Sequence, residues 1–229
     1  MTGIDTQWVL EKAVLLAPLL GSLALHEVAH ARTALAFGDT TARDMGRCSL
    51  NPFVHLDPMG TLAMIFCGFG WAKPVPVNPY NLHPPRWGHI AVSLAGPLSN
   101  LIIALVIALL LRVSLTVGLN FESRLGHLIW GLTLYTMGVN ICLFIFNMLP
   151  LYPLDGHHIF RDQLPADMRA PFMQWQMRFG MPLLILVMLG PNLAESAGIH
   201  VVDPLGWMIN HATDLAMEHV VLPSGWTWK

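Results

Sequence analysis

The sequence predicts an all-α fold, a polytopic bundle of membrane helices with a re-entrant proline-rich loop or hairpin. Hydrophobic residues make up 54% of the 229 residues and charged residues 11%, against about 25% charged in an average soluble domain. Two long stretches contain no charged residue. We therefore expect a single integral membrane domain, residues 1–229, with a core from about 8 to 160 and C-terminal membrane or interfacial segments from about 176 to 222.

Three segments are predicted to cross the bilayer. Residues 90–111 and 128–149 are uncharged and close to the roughly 20 residues that a bilayer core requires, so they are expected to form a helical hairpin. A third span is predicted from about Trp8 to Phe37, where Pro18 is expected to kink the helix. The three spans together predict a helical core.

Two further apolar stretches, residues 59–72 and 179–190, are short for a span. The second is expected to cross only if it is tilted, and the first is expected not to cross. Between the first stretch and the span that begins near residue 90 lies "WAKPVPVNPYNLHPP", whose prolines exclude a helix and favour extended chain. Such chain is tolerated near membrane depth only if protein buries it, which predicts the re-entrant loop or hairpin.

Charge and cysteine content exclude several function classes. The net charge is -2 with no cluster of lysines and arginines, so nucleic acid is not an expected partner. Cys48, Cys67 and Cys142 are odd in number and show no C-x-x-C spacing, which predicts free thiols and no cysteine zinc site. The N-terminus has no basic region and no small-residue cleavage site, so no removable signal peptide is expected.

The segment "HEVAH" lies in the middle of the first predicted span. On a helix His26 and His30 share one face a turn apart, so both imidazoles can bind one metal ion, with Glu27 beside it. Zinc lowers the pKa of a bound water towards about 7, and a neighbouring carboxylate can accept its proton. The motif can arise by chance, but ionisable groups inside a bilayer are costly unless they are paired or metal-bound, which favours a functional site.

A catalytic zinc site commonly has three protein ligands, so a third ligand is needed. Asp155 is the outstanding candidate, in "NMLPLYPLDGHHIF" directly after the second long span. Pro150 and Pro153 break the helix before it, and the freed backbone must be buried or face a polar cavity. The alternative is a helix-terminating turn with a solvent-facing aspartate. His157 and His158 stand beside Asp155 and could compete for the metal.

These motifs resemble those of the site-2 protease family of intramembrane zinc metalloproteases. HEVAH is followed by a distal N-x-x-P-x-x-P-L-D-G, and "FGDTTARDMGRCSLNPFVHLDPMGT", "FGWAKPVPVNPYNL" and "SLAGPLSN" are similar to the short bacterial branch without PDZ or CBS domains. The resemblance covers roughly residues 20–160. It implies the following site residues: His26, His30 and Asp155 as ligands of one Zn²⁺ ion, Glu27 as the base that activates water, and Asn147 and Asn100 as residues that position substrate or stabilise the oxyanion.

The resemblance also implies the activity, the partners and the location. The expected activity is hydrolysis of peptide bonds in or near transmembrane segments of membrane proteins, as in regulated intramembrane proteolysis. The expected partners are a membrane protein substrate with a transmembrane helix and the lipid bilayer. The expected location is the bacterial inner membrane.

The topology follows from the ligands. The C-terminal ends of the first span and of the span 128–149 must face the same side if Asp155 is to meet His30, so residues 59–72 must re-enter rather than cross. Basic residues are more numerous on that side, which the positive-inside rule makes cytoplasmic. An unwound substrate is expected to pair with the edge of "KPVPVNP" by β-augmentation.

Two other functions remain open at this point: a membrane zinc carrier, and a catalytically silent scaffold of the same fold. A carrier is expected to show several polar stations along facing helices, whereas the polar groups here concentrate in one cluster. The remaining histidines fall in loops or at segment ends, and an interfacial role without metal binding is expected for His55, His83, His89, His127, His200, His211 and His219.

Overall fold

The computed structural model of the chain describes residues 6–67, 70–119 and 121–222, and most of these residues lie in helices. In that part of the chain no β-strand forms, which confirms the predicted all-α fold. The helices are α1 (Thr6–Ala36), α2 (Thr41–Asp44), α3 (Pro58–Cys67), α4 (Pro85–Thr116), α5 (Arg124–Asn147), α6 (Asp155–Gln163), α7 (Ala166–Ser196) and α8 (Pro204–Leu215), with 3₁₀ turns at Pro52–His55 and Pro79–Asn81 and a π-helix at Ala216–Val221.

Four of these helices are long and apolar enough to cross a membrane: Val14–Ala36 of α1, and α4, α5 and α7. The protein is therefore an integral membrane protein. The spans predicted near residues 8–37, 90–111 and 128–149 coincide with α1, α4 and α5. Helix α7 is much longer than the apolar stretch 179–190, because it continues through its internal prolines.

Helix α4 is the central element of the bundle and contacts α1, α5, α6 and the π-helix. Small residues on one of its faces, Ala104 and Ala108, are buried against Met137 of α5 and Met217 of the π-helix. Alanines let neighbouring helix backbones approach closely, which is how membrane helices pack. This packing fixes α4 beside α1, where the HEVAH segment lies.

The described chain between α2 and α4 runs out and back along itself, and its predicted re-entry into the membrane stays a prediction. Helix α3 has ten residues, so at about 1.5 Å per residue it is about half as long as a bilayer core is thick. The chain then returns in extended form: Leu56 and Ala72 form an isolated antiparallel bridge, and the Lys73 amide donates to His55 O at 2.7 Å. The proline-rich segment, defined here as residues 71–78, is therefore held against the chain that precedes α3.

Asp39, just after α1, ties the end of this segment to the helix bundle. Its side chain accepts hydrogen bonds from the Asn78 amide at 2.7 Å, from the Asn81 side chain at 3.1 Å and from Thr41. Burial alone would raise the pKa of Asp39, but these hydrogen bonds hold it below its ordinary value. The carboxylate is thus a fixed anchor for the proline-rich segment.

Candidate metal centre

His26 and His30 lie one turn apart on α1, and both are buried. Their Nε2 atoms are 3.0 Å apart. Asp155, the first residue of α6, places its Oδ2 atom 3.2 Å from Nε2 of His26 and 3.3 Å from Nε2 of His30. Among the residues that the structure describes, these are the three that bring candidate metal-ligand atoms together.

Hydrogen bonds at the Nδ1 atoms of both imidazoles decide whether their Nε2 atoms carry a proton or a lone pair. The Nδ1 atom of His30 donates to the carbonyl oxygen of Val92 at 2.7 Å, and Nδ1 of His26 donates to Oδ1 of Asn100 at 2.7 Å. A neutral imidazole that carries its proton on Nδ1 presents a lone pair on Nε2. Two lone pairs and a carboxylate oxygen therefore converge, and a cation satisfies all three.

The donor set fits zinc. Two imidazoles and one carboxylate leave an open position, as in catalytic zinc sites, and tetrahedral ligands at the usual zinc distances are about 3.3 Å from one another. The Oδ2 atom of Asp155 is buried and accepts no hydrogen bond.

Glycines shape the space around these atoms. A Cβ atom at Gly96 of α4 would lie 2.2 Å from Nε2 of His30 and 2.6 Å from Nε2 of His26. A Cβ atom at Gly156 would lie 2.4 Å from the carbonyl oxygens of Met148 and Leu149. Gly96 thus keeps the space beside the two Nε2 atoms open, and Gly156 lets α6 begin directly against the end of α5.

Glu27 is buried beside the histidines, and its Oε2 atom accepts a hydrogen bond from the Val75 amide at 3.0 Å. Pro74 and Pro76 have no amide hydrogen, so Val75 supplies the single backbone donor of this Pro-Val-Pro stretch. Arg47 donates to the carbonyl oxygens of Lys73 and Pro74, which holds the stretch in place. The proline-rich segment therefore fixes the carboxylate next to the two histidines.

Asn100 is fully buried and forms a polar network inside the bundle. Its Nδ2 atom donates to Oδ1 of Asn140 at 2.9 Å, and Asn140 donates to Oγ of Ser22 at 2.8 Å. These bonds orient the amide so that its oxygen faces His26. Asn147 donates to the carbonyl oxygen of Leu143 in its own helix at 3.0 Å. The predicted roles of Asn100 and Asn147 in substrate or oxyanion binding stay predictions, whereas the contact of Asn100 with His26 is a finding.

His157 and His158 lie beside Asp155 but do not belong to the group of converging ligand atoms in the described residues. The Nδ1 atom of His157 bonds to the carbonyl oxygen of Leu154 at 2.8 Å, and the two rings are 3.8 Å apart. Burial and the neighbouring His157 lower the pKa of His158 to about 3, so it is neutral at pH 7. Both rings pack around the start of α6.

A second buried cluster was not predicted from the sequence. His89 is buried, with Nδ1 2.5 Å from Oδ2 of Asp162, and Arg161 donates to the same carboxylate at 2.8 Å. Burial alone would raise the pKa of Asp162, but these partners hold it below its ordinary value. The cluster joins α4 to α6. His55 is also buried inside the protein, and the predicted interfacial position of both histidines stays a prediction.

Only one sequence feature could have revealed the buried network. Asn140 is a polar residue within the uncharged span 128–149, and a buried side-chain amide requires partners. The aspartate and histidine of the second cluster gave no such indication, because both lie near helix ends where polar residues are ordinary.

Of the cysteines, Cys48 and Cys142 are free thiols, as predicted, and the side chain of Cys67 lies outside the described residues.

The fold and the site define a membrane zinc metallopeptidase, and comparisons with known proteins agree. Residues 14–189 match the model of Peptidase family M50, the site-2 protease family, and the chain belongs to this family. This confirms the resemblance seen in the sequence. No solved structure matches the chain.

Relatives that match the chain carry names of the same class. The chain is 39% identical over 177 residues to "Putative zinc metalloprotease YwhC" of Bacillus subtilis, covering 77% of this chain and 80% of that protein. It is 29% identical over 188 residues to "Putative zinc metalloprotease Rip2" of Mycolicibacterium smegmatis, covering 79% and 68%. It is 29% identical over 150 residues to "Zinc metalloprotease MJ0392" of Methanocaldococcus jannaschii, covering 65% and 34%.

Proposed function

We propose that this zinc metallopeptidase is an intramembrane endopeptidase that holds one zinc ion through His26, His30 and Asp155 and uses Glu27 as its base. Its substrates are membrane proteins cleaved in or near a transmembrane helix, as in regulated intramembrane proteolysis. One observation supports this most strongly. On a helix long enough to span the bilayer, two imidazole nitrogens lie beside a buried glutamate, and the carboxylate oxygen of Asp155 converges on them from another helix.

The chain's own residues orient and deprotonate the reactants. When bound, zinc supplies a Lewis acid that acidifies water and polarises the scissile carbonyl. Glu27 accepts the proton from water, and the Val75 amide keeps its carboxylate in place for that transfer. The carbonyl of Val92 and the side chain of Asn100 fix the two imidazole rings, so that the ligand atoms need no rearrangement before reaction.

A transmembrane helix must unwind locally before it is cleaved, because its carbonyls are bound within the helix. The proline-rich segment is extended and lies next to Glu27, so it suits pairing with the unwound chain. The Val75 amide and the carbonyls of Lys73 and Pro74 are already used. A substrate strand would therefore pair through the carbonyl of Val75 and the amide of Val77.

That pairing is tested by comparing Val77→Pro with Val77→Ala. Both remove the branched side chain, but only proline removes the amide hydrogen. We expect a rise in KM for an extended-peptide or transmembrane substrate with Val77→Pro alone. Equal KM values for the two variants would contradict the pairing.

We further propose that the site opens to the cytoplasm in a bacterial inner membrane and that residues 1–229 act as one domain. Basic residues are more numerous at the site side of the predicted spans than at the other side, which the positive-inside rule makes cytoplasmic. The site side has Arg32, Arg43, Arg47, Lys73, Arg86, Arg161, Arg169 and Arg178, and the other side has Lys12, Arg112 and Arg124.

The function is tested by cleavage of single-span model substrates in liposomes, with bound zinc measured in wild type and in Glu27→Gln. We expect cleavage by wild type only, with zinc retained by both, because the amide keeps the shape of the side chain but cannot accept the proton. Zinc bound by both proteins without any cleavage across a broad substrate panel would count against the protease. Equal zinc flux through both proteins would favour a carrier.

A further inference from the structure

Helix α7 has 31 residues, of which three are buried: Gln176, Gly180 and Leu184. They are spaced by four, so they form one narrow stripe along the helix. The rest of the helix is exposed or half-buried in the described chain. The polar member of the stripe, Gln176, is 1% exposed, and burial of an amide in a membrane helix requires specific partners.

Those partners are backbone groups of the loop that leads to Asp155. The Oε1 atom of Gln176 accepts from the Tyr152 amide at 2.8 Å, and its Nε2 atom donates to the carbonyl oxygen of Pro150 at 2.7 Å. One turn further along α7, a Cβ atom at Gly180 would lie 3.0 Å from Cβ and 3.1 Å from N of Tyr152. Gly180 thus lets the loop lie directly on α7, within reach of the amide.

The loop needs an outside partner because its own prolines remove backbone donors. Pro150 and Pro153 have no amide hydrogen, and irregular backbone near membrane depth must be satisfied by protein. The Gln176 side chain has both an acceptor and a donor, so it binds one amide and one carbonyl of this loop, as the backbone of a neighbouring strand would. The loop begins after α5 and ends at Asp155, so its path sets where that carboxylate lies.

We propose that Gln176 is a positioning residue of the metal centre: it fixes the loop 150–154 and thereby holds Asp155 against the two histidines. This rests on the proposed assignment of Asp155 as a zinc ligand. Partners that orient ligands typically change metal affinity about 10- to 100-fold when they are removed. Gln176 acts through the backbone, so its removal is expected to weaken zinc binding about tenfold.

The test compares Gln176→Leu and Gln176→Glu with wild type in the full-length protein. Leucine removes both hydrogen bonds, whereas glutamate keeps the acceptor for the Tyr152 amide and loses the donor to Pro150. The matched control is Gln163→Leu, because Gln163 is exposed on α6 and bonds within its own helix. The measurements are the zinc Kd by chelator competition, the visible spectrum of the Co²⁺-loaded protein, the melting temperature of the metal-free protein, and substrate cleavage.

We expect about a tenfold rise in zinc Kd and an altered Co²⁺ spectrum for Gln176→Leu, smaller changes for Gln176→Glu, and wild-type values for the control. A merely structural role would lower the metal-free melting temperature and leave the Co²⁺ spectrum of the folded protein unchanged, which would overturn the proposal. If Gln176→Leu does not fold, a folded Gln176→Glu with wild-type zinc Kd and Co²⁺ spectrum overturns it equally. If wild type binds no zinc, the proposed function itself fails, and this role fails with it.

Discussion

Replacing Asn100 by leucine tests how the polar network supports the metal centre. The Asn100 side chain accepts the Nδ1–H of His26 at 2.7 Å, at a position that water does not reach. Asn100→Leu keeps the branched shape of the side chain but leaves this donor unpaired, at a cost of about 1–3 kcal/mol. When the zinc-bound protein carries this cost and the metal-free protein does not, the zinc affinity falls by a factor of about 10 to 100, since a tenfold change corresponds to about 1.4 kcal/mol. Loss of an outer hydrogen bond to a histidine ligand has typically the same effect.

The assay is chelator competition for zinc in detergent, with the melting temperature of the metal-free protein measured alongside. Asn100→Asp keeps the acceptor for His26 and is expected to retain near wild-type affinity. Ser99→Ala is the matched control, because the Ser99 hydroxyl bonds the carbonyl oxygen of Gly96 within the same helix. Wild-type zinc affinity in a folded Asn100→Leu would refute the reasoning.

Three further changes test other parts of the site. Gly96→Ala should abolish zinc binding and cleavage, because its methyl group would overlap both Nε2 atoms. Gly138→Ala, whose methyl group would meet nothing within 4 Å, should leave the zinc content unchanged. Equal zinc content in the two variants would contradict this. Val75→Pro removes the hydrogen bond to Glu27 and should lower kcat about tenfold with zinc retained. Val75→Ala should match wild type. A wild-type kcat in both variants would show that the bond is dispensable. The pKa of Asp39 is lowered, so its ionised form stabilises the fold above about pH 4, and this contribution is lost as the pH falls further. The difference in melting temperature between wild type and Asp39→Asn should therefore shrink on acidification. A difference that does not change with pH would refute this role of Asp39.

The spans and the pairing of the two histidines on one helix face could be predicted because they depend on local periodicity. Uncharged stretches of bilayer length predict helices wherever they are packed. His26 and His30 share a face through their spacing of four alone. The extended form of the proline-rich segment was predictable because proline excludes a helix, and its re-entry into the membrane stays a prediction. The length of α7 was not, because its internal prolines predict breaks, whereas the helix continues through all three of them.

What the sequence determined by itself is the class of protein: a membrane bundle with a pair of histidines and a glutamate on one helix. The tertiary structure decided which distant groups serve that pair. Asn100 and Asn147 are both asparagines in apolar helices, yet only Asn100 faces His26, because helix rotation and crossing set the direction of a side chain. The contacts of Val75 and Gln176 depend in the same way on how the loops fold back. Such contacts join residues far apart in the chain, so no local pattern encodes them.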